Sequence, residues 1–215
     1  MSRIARDGLM SKLKAILFNC SLKPKREKSS TQAMLDKVIR VFEQRDVSCK
    51  VIHAVDASIE FGVKTDMGGK DKWPAIHDQV LKADIIVIGT PIWMGQRCSV
   101  CQMVIERLDA LLNETNDVGQ LPLYNKVVGA CVVGNEDGAQ IVASGILYNL
   151  MQLGATIPPN SEAYWVGMAG GKDDFIDVGL SDEYVKELVS YMGNNLVHMA
   201  EILRANPIPA VGNVS

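Results

Sequence analysis

The chain reads as an α/β domain built on a doubly wound parallel sheet, and three observations predict it. Apolar runs rich in β-branched residues recur at 14–19, 84–89 and 126–133, the pattern of strands buried on both faces. Between them lie segments with apolar residues at helical spacing, such as Met34, Leu35, Val38, Val41 and Phe42. The third observation is how the most apolar run ends. After Ile85-Ile86-Val87-Ile88 come Gly89-Thr90-Pro91-Ile92-Trp93-Met94-Gly95, a strand-to-helix loop at the carboxyl end of a central strand. Open α/β sheets bind their ligands in such loops.

Taken in order, residues 14–19 predict the first strand and 31–45 an amphipathic helix. Residues 49–55 alternate enough for a second strand. Residues 56–73, with Gly62, Gly68 and Gly69, read as an excursion loop, and 74–82 as a short helix with Pro74 in its first turn. The third strand, 84–89, leads to a helix over 99–112. A fourth strand spans 126–133 and its helix 139–153. Residues 156–166 predict an irregular fifth strand broken by Pro158-Pro159, and 181–204 a long closing helix. Five parallel strands in the order 2-1-3-4-5, with helices on both faces, make a three-layer αβα sandwich. The expected division is an extension over 1–12, one domain over 13–205, and a flexible tail over 206–215 rich in proline.

Bulk properties exclude several classes. A chain of 215 residues buries a full core without disulfides or metals. A net charge of −3 provides no basic field for nucleic acid or anionic lipid. No apolar run approaches a membrane span, and the first dozen residues lack a signal-peptide core. Five cysteines, an odd number, fit a reducing, cytoplasmic setting.

The loop between the first strand and its helix holds Ser21, Lys23, Ser29, Ser30 and Thr31. A helix amino terminus with hydroxyls around it receives phosphate readily. Helix capping by Ser29, Ser30 or Thr31 explains one of them equally well. No G-x-G-x-x-G or G-x-x-x-x-G-K-[ST] is present, so neither a dinucleotide fold nor a P-loop is indicated. The basic run Lys23, Lys25, Arg26 and Lys28 reads first as a solvated loop, with a second phosphate such as that of NADPH as the sharper reading.

Thr90-Pro91-Ile92-Trp93-Met94-Gly95, Ser21-Leu22-Lys23 with Ser29-Ser30-Thr31, and Val133-Gly134-Asn135-Glu136-Asp137-Gly138-Ala139 together resemble the NAD(P)H-dependent FMN reductases of the flavodoxin-like superfamily. The resemblance covers roughly residues 14–153. It implies a flavodoxin-like fold and non-covalent FMN. Ser21, Lys23, Ser29, Ser30 and Thr31 would lie at the phosphate. Pro91, Ile92, Trp93, Met94 and Gly95 would pass along the isoalloxazine, and Gly134, Asn135, Glu136, Asp137 and Gly138 would close the other side. The chain departs from the family in a longer, more basic phosphate loop and in Ser30, where asparagine is frequent. The implied activity is hydride transfer from NAD(P)H through FMN to a small acceptor such as a quinone, a flavin, or a nitro- or azo-aromatic. The resemblance is also compatible with a homodimer or homotetramer. A flavodoxin-like electron carrier is the alternative, as is a scaffold that has lost its flavin.

A flavin carries the redox chemistry itself, which accounts for the lack of a recognisable catalytic triad or acid–base pair. Asp137 reads as a helix cap before a chemical group. Cys98 and Cys101 form a C-x-x-C at a helix start, read first as small buried residues and second as a redox pair. His53, His77 and His198 show no ligand spacing, so no metal site is expected. Tyr164 and Trp165 are placed at a pocket mouth or an interface.

Overall fold

Strand β3 (Ile85–Trp93) is the centre of a sheet whose order is β2-β1-β3-β5-β6, built from β1 (Lys14–Asn19), β2 (Ser48–His53), β5 (Val127–Gly134) and β6 (Glu162–Val166). These five run parallel. The computed structural model describes residues 11–214, so most of the expected 1–12 extension lies outside the described residues. The five long strands reproduce the predicted 2-1-3-4-5 order. A sixth, β4 (Gln96–Arg97), folds back on the end of β3 as a hairpin, pairing Ile92 with Arg97 and Trp93 with Gln96.

The third strand therefore overruns its expected end at Gly89. Its register with β5 continues through Thr90–Val132 and Pro91–Val133, while its pairing with β1 stops at Asn19–Gly89. The Gly89 carbonyl still accepts from Cys20 N–H at 2.9 Å. Pro91, two residues on, faces the same side, where β1 has already turned away. Its missing N–H costs no ladder bond, so proline ends the pairing on one side only.

Side chains alternate between two cores. Ile16, Phe18, Ile86, Ile88, Val128 and Val132 face α2 (Trp73–Lys82), α3 (Ser99–Leu108) and α4 (Ala139–Gln152). Leu17, Ile85, Val87, Val127 and Val133 face α1 (Ser30–Gln44) and α5 (Glu183–Ala205). The helix expected over 99–112 tightens into a 3-10 turn, Asp109–Asn113, and the strand expected over 49–55 into another, Ala54–Asp56. Of the irregular stretch 156–166 only Glu162–Val166 is a strand, with Thr156 bridging Val127 alone. After Asn206 the chain runs past Gln120 and Asn125, and Ile208 N–H donates to Asn125 Oδ1 at 2.7 Å.

The excursion loop is held at a single buried centre. Arg107, fully buried on α3, donates to Glu60 O at 2.9 Å, Thr65 O at 3.2 Å and Asp71 Oδ2 at 2.8 Å. Its guanidinium lies 5.5 Å from the centre of the buried Trp73 ring. Burial pushes the Asp71 carboxyl up, but N–H groups of Met67, Trp73 and Glu60 and the Arg107 guanidinium outweigh it. The group is held below its ordinary value.

Removing one partner of this ion pair strands the other charge in the core. Arg107→Met should destabilise by about 3–5 kcal/mol in urea unfolding. Unchanged stability would show that the pair contributes little. Because the folded pKa of Asp71 is depressed, its contribution is complete above the ordinary aspartate value of about 3.9 and fades as pH falls through the lower folded value.

Candidate active site

At the carboxyl end of β1 the chain turns through Asn19, Cys20 and Ser21, all buried. Asn19 Oδ1 accepts from Ser21 N–H at 2.9 Å, and Ser21 Oγ from Lys23 N–H at 3.1 Å. Asn19 Nδ2 donates across to Gln32 Oε1 at 2.9 Å, tying the loop to the helix it leads into. Ser29, in extended backbone, caps α1 by accepting from Gln32 N–H. The capping role open for three residues thus falls to Ser29. The N–H groups of Ser30 and Thr31 sit in the first helical turn, where no intrahelical acceptor exists. Ser30 Oγ is buried and has no hydrogen-bond partner.

The second wall is the overrunning end of β3. Thr90 Oγ1 accepts from Cys98 N–H at 3.4 Å, and Cys98 Sγ–H donates to Cys20 O at 2.8 Å, so the returning hairpin is fastened to the end of β1. Met94 and Gly95 make the hairpin turn with φ of 53° and 70°. Gly95 N–H donates to Glu136 Oε2 at 3.2 Å. Gly138 has φ of 110°, and a Cβ there would stand 2.9 Å from Gly95 O. Only glycine combines that backbone with so close a neighbour.

The third wall comes from the end of β5 and from chain beyond β6. Together the walls enclose a cavity of about 390 Å³. It is lined by Ser21, Lys23, Ser29, Ser30 and Thr31, by Pro91, Ile92 and Trp93, and by Gly134, Asn135 and Glu136. Met94, Gly95, Asp137 and Gly138 do not line it. Met94 is 90% exposed at the hairpin tip, and Trp93, which lines the mouth, is 53% exposed. Sequence reasoning missed Leu22, Val133, Gly170, Gly171, Asp174 and Phe175 among the lining residues; of Tyr164 and Trp165, both left between pocket and interface, Trp165 lines the cavity and Tyr164 instead pairs with Tyr184. Phe175 is buried against Trp165, with ring centres 5.6 Å apart. It starts a π-helical turn, Phe175–Gly179, which no periodicity announces. Asn135 holds this wall by donating from Nδ2 to Asp173 O at 2.9 Å, while its buried Oδ1 has no donor.

A flavodoxin-like α/β sandwich with a cavity at the carboxyl ends of its central strands defines the class. Residues 13–169 match the NADPH-dependent FMN reductase family, and the chain belongs to that family of flavoprotein oxidoreductases. Over 206 residues it is 34% identical to the 8-demethyl-8-aminoriboflavin-5'-phosphate synthase of Streptomyces davaonensis, covering 91% of this chain and 80% of that protein. The crystal structure of RosB with bound 8-demethyl-8-formylriboflavin-5'-phosphate aligns at TM-score 0.85 and 36% identity, over 91% of this chain and 82% of that one. A further 36% identity, over 200 residues, is to part of the divalent metal cation transporter MntH of Mycobacterium bovis; this chain spans 29% of that protein's length.

The family's cofactor fits the residues present. One end of the cavity offers unclaimed N–H groups and an orphaned buried hydroxyl at a helix amino terminus, where an anion is favoured. The remainder is lined by Pro91, Ile92, Trp93, Trp165 and Phe175, apolar and aromatic surface suited to a flat ring system.

The thiols near the cavity are buried. Cys20, Cys98 and Cys101 lie beneath the loops. Burial raises the Cys98 thiol above its ordinary value, and burial together with Cys101 raises Cys20 further. A raised thiol is a poor nucleophile, which favours the structural reading of the C-x-x-C. Cys49, partly exposed, is pushed up to about 11 by its own desolvation and by Glu43. Ellman's reagent at pH 8 should therefore label the native protein slowly and all five cysteines only after unfolding. Rapid native labelling of Cys98 or Cys101 would restore the redox-pair reading.

Proposed function

We propose that this protein is an FMN-dependent oxidoreductase that takes hydride from NAD(P)H and delivers it to a small oxidised acceptor. A quinone, a free flavin, or a nitro- or azo-aromatic suits such a site. When bound, FMN supplies the redox chemistry, and the protein supplies binding, orientation and shielding. The observation that carries the reading is the unpartnered Ser30 Oγ beside the free amides of α1, in a cavity that also presents Pro91, Ile92, Trp93, Trp165 and Phe175.

In this reading Ser21, Lys23, Ser29, Ser30 and Thr31 surround the phosphate, with Ser29 acting through its cap and Ser30 by direct donation. Pro91, Ile92 and Trp93 form one side of the ring slot, and Gly134, Asn135 and Glu136 the other. Gly95 and Gly138 hold the two loops together, and Met94 stands at the rim. The half-exposed Trp93 leaves one face of the slot open to exchange of donor and acceptor, which a ping-pong sequence requires.

A second reading rests on the relatives. The synthase is named for a riboflavin 5'-phosphate derivative altered at the 8-position and RosB is seen with another bound, so the same cavity is suited to a flavin phosphate as substrate. The mass of flavin recovered after turnover separates the two. Unaltered FMN with NAD(P)H consumed supports the oxidoreductase, and altered flavin supports the second reading.

Two further outcomes are expected. Ser30→Ala should weaken FMN binding about tenfold by fluorescence quenching, the loss of one hydrogen bond to a charged group. An unchanged affinity would remove Ser30 from the phosphate site. Initial-rate plots against donor at several acceptor concentrations should run parallel; intersecting lines would exclude ping-pong order.

A further inference from the structure

The cavity's outer wall has a fastening that the proposed function does not use. Charged side chains lining the cavity are Lys23, Glu136 and Asp174. Glu136 is engaged by the Gly95 amide. Lys23 Nζ, on the phosphate loop, stands 3.9 Å from Asp174 Oδ2, on the segment after β6. Each side chain is about half exposed, so the pair is loose and worth little by itself.

That segment is a strap with two fixed ends. At one end Gly167 N–H donates to Gly134 O at 2.9 Å, and at the other Phe175 is buried against Trp165. Met168 and residues 170–173 between them are exposed. Two cavity-lining side chains reach across to the strap: the Asn135 amide, to the Asp173 carbonyl, and Lys23, to the Asp174 carboxylate. Residues 170–175 also lie beyond the family match, which ends at 169. This wall is therefore a feature of the chain outside the matched family region.

Resting on the phosphate assignment above, we propose that Asp174 tempers the cavity's preference for a phosphate-bearing flavin by holding Lys23 as a counter-ion until the phosphate displaces it. Both residues line the same cavity. A phosphate with about two negative charges outcompetes a single carboxylate for the lysine, and Asp174 repels it until that exchange occurs. A flavin without phosphate offers no such exchange and leaves the strap fastened. The pair sets how strongly the cavity distinguishes the phosphate ester from the free alcohol, and it ties strap opening to that distinction.

The test compares FMN and riboflavin binding, by fluorescence quenching, to the wild-type chain, Asp174→Asn and Asp173→Asn. Asp174 is the N-cap of the π-turn at Phe175, and asparagine caps as well as aspartate, so the turn keeps its cap in the first variant. The second removes the same charge one residue away, from an exposed side chain without the Lys23 contact. Asp174→Asn should bind FMN about three- to fivefold more tightly, the scale of an exposed ion pair, with riboflavin unchanged. Asp173→Asn should change neither. In the absence of flavin, tryptic cleavage after Lys172 should quicken in Asp174→Asn by a similar factor. Unchanged FMN affinity in Asp174→Asn, an equal shift for riboflavin, or the same gain in Asp173→Asn would overturn the proposal. Failure of the wild-type chain to bind FMN at all would instead overturn the functional reading beneath it.

Discussion

A helix amino terminus must satisfy backbone donors that its own hydrogen bonds cannot reach, and the site in this protein grows out of that constraint. Ser29 satisfies Gln32, while the amides of Ser30 and Thr31, residues that line the cavity, have no acceptor within the helix. Ser30 contributes a buried hydroxyl with no partner. An unsatisfied buried polar group costs free energy, and a phosphate bound at this point would remove that cost while meeting the positive end of the helix dipole. Everything else at the site holds walls around this turn.

Those walls converge because the sheet register brings three chain crossings to one rim. β3 extends past β1 and stays paired to β5, so Pro91 to Trp93 stand above the end of β1. Cys98 then bonds the returning hairpin to Cys20. Gly138 presses close on Gly95, closing the space between the β3 and β5 loops. The cysteines nearest the cavity thus act through packing and a weak donor, and the raised thiols of Cys20 and Cys98 follow from the same burial. On the other face, Arg107 gathers the 57–72 loop by donating to its carbonyls and to Asp71, giving order to a stretch without regular secondary structure.

Much of this was legible in the sequence because strong periodicity announces it. The β-branched runs at 85–88 and 127–133 and the apolar stripe of α1 needed no tertiary knowledge, and the strand order followed from their alternation. Other features depend on pairing that one segment cannot reveal. Pro91 reads as a strand end, yet a strand freed from one neighbour tolerates proline on that side. The π-turn at 175–179 and the strap at 168–174 carry no hydrophobic period, so the outer wall went unseen; only Trp165 hinted at it. The 56–73 segment reads as an excursion loop from its glycines, and its order comes from an arginine more than thirty residues away in sequence.

Placing the phosphate end at α1 and the ring slot between Pro91–Trp93 and Gly134–Glu136 makes one geometric demand. A crystal structure of the protein grown with excess FMN is the most direct examination of it. The phosphate is expected within hydrogen-bond distance of Ser30 Oγ and the Ser30 and Thr31 amides, with the ring beside Trp93. A vacant cavity at saturating FMN, or a phosphate seated away from this turn, would contradict it.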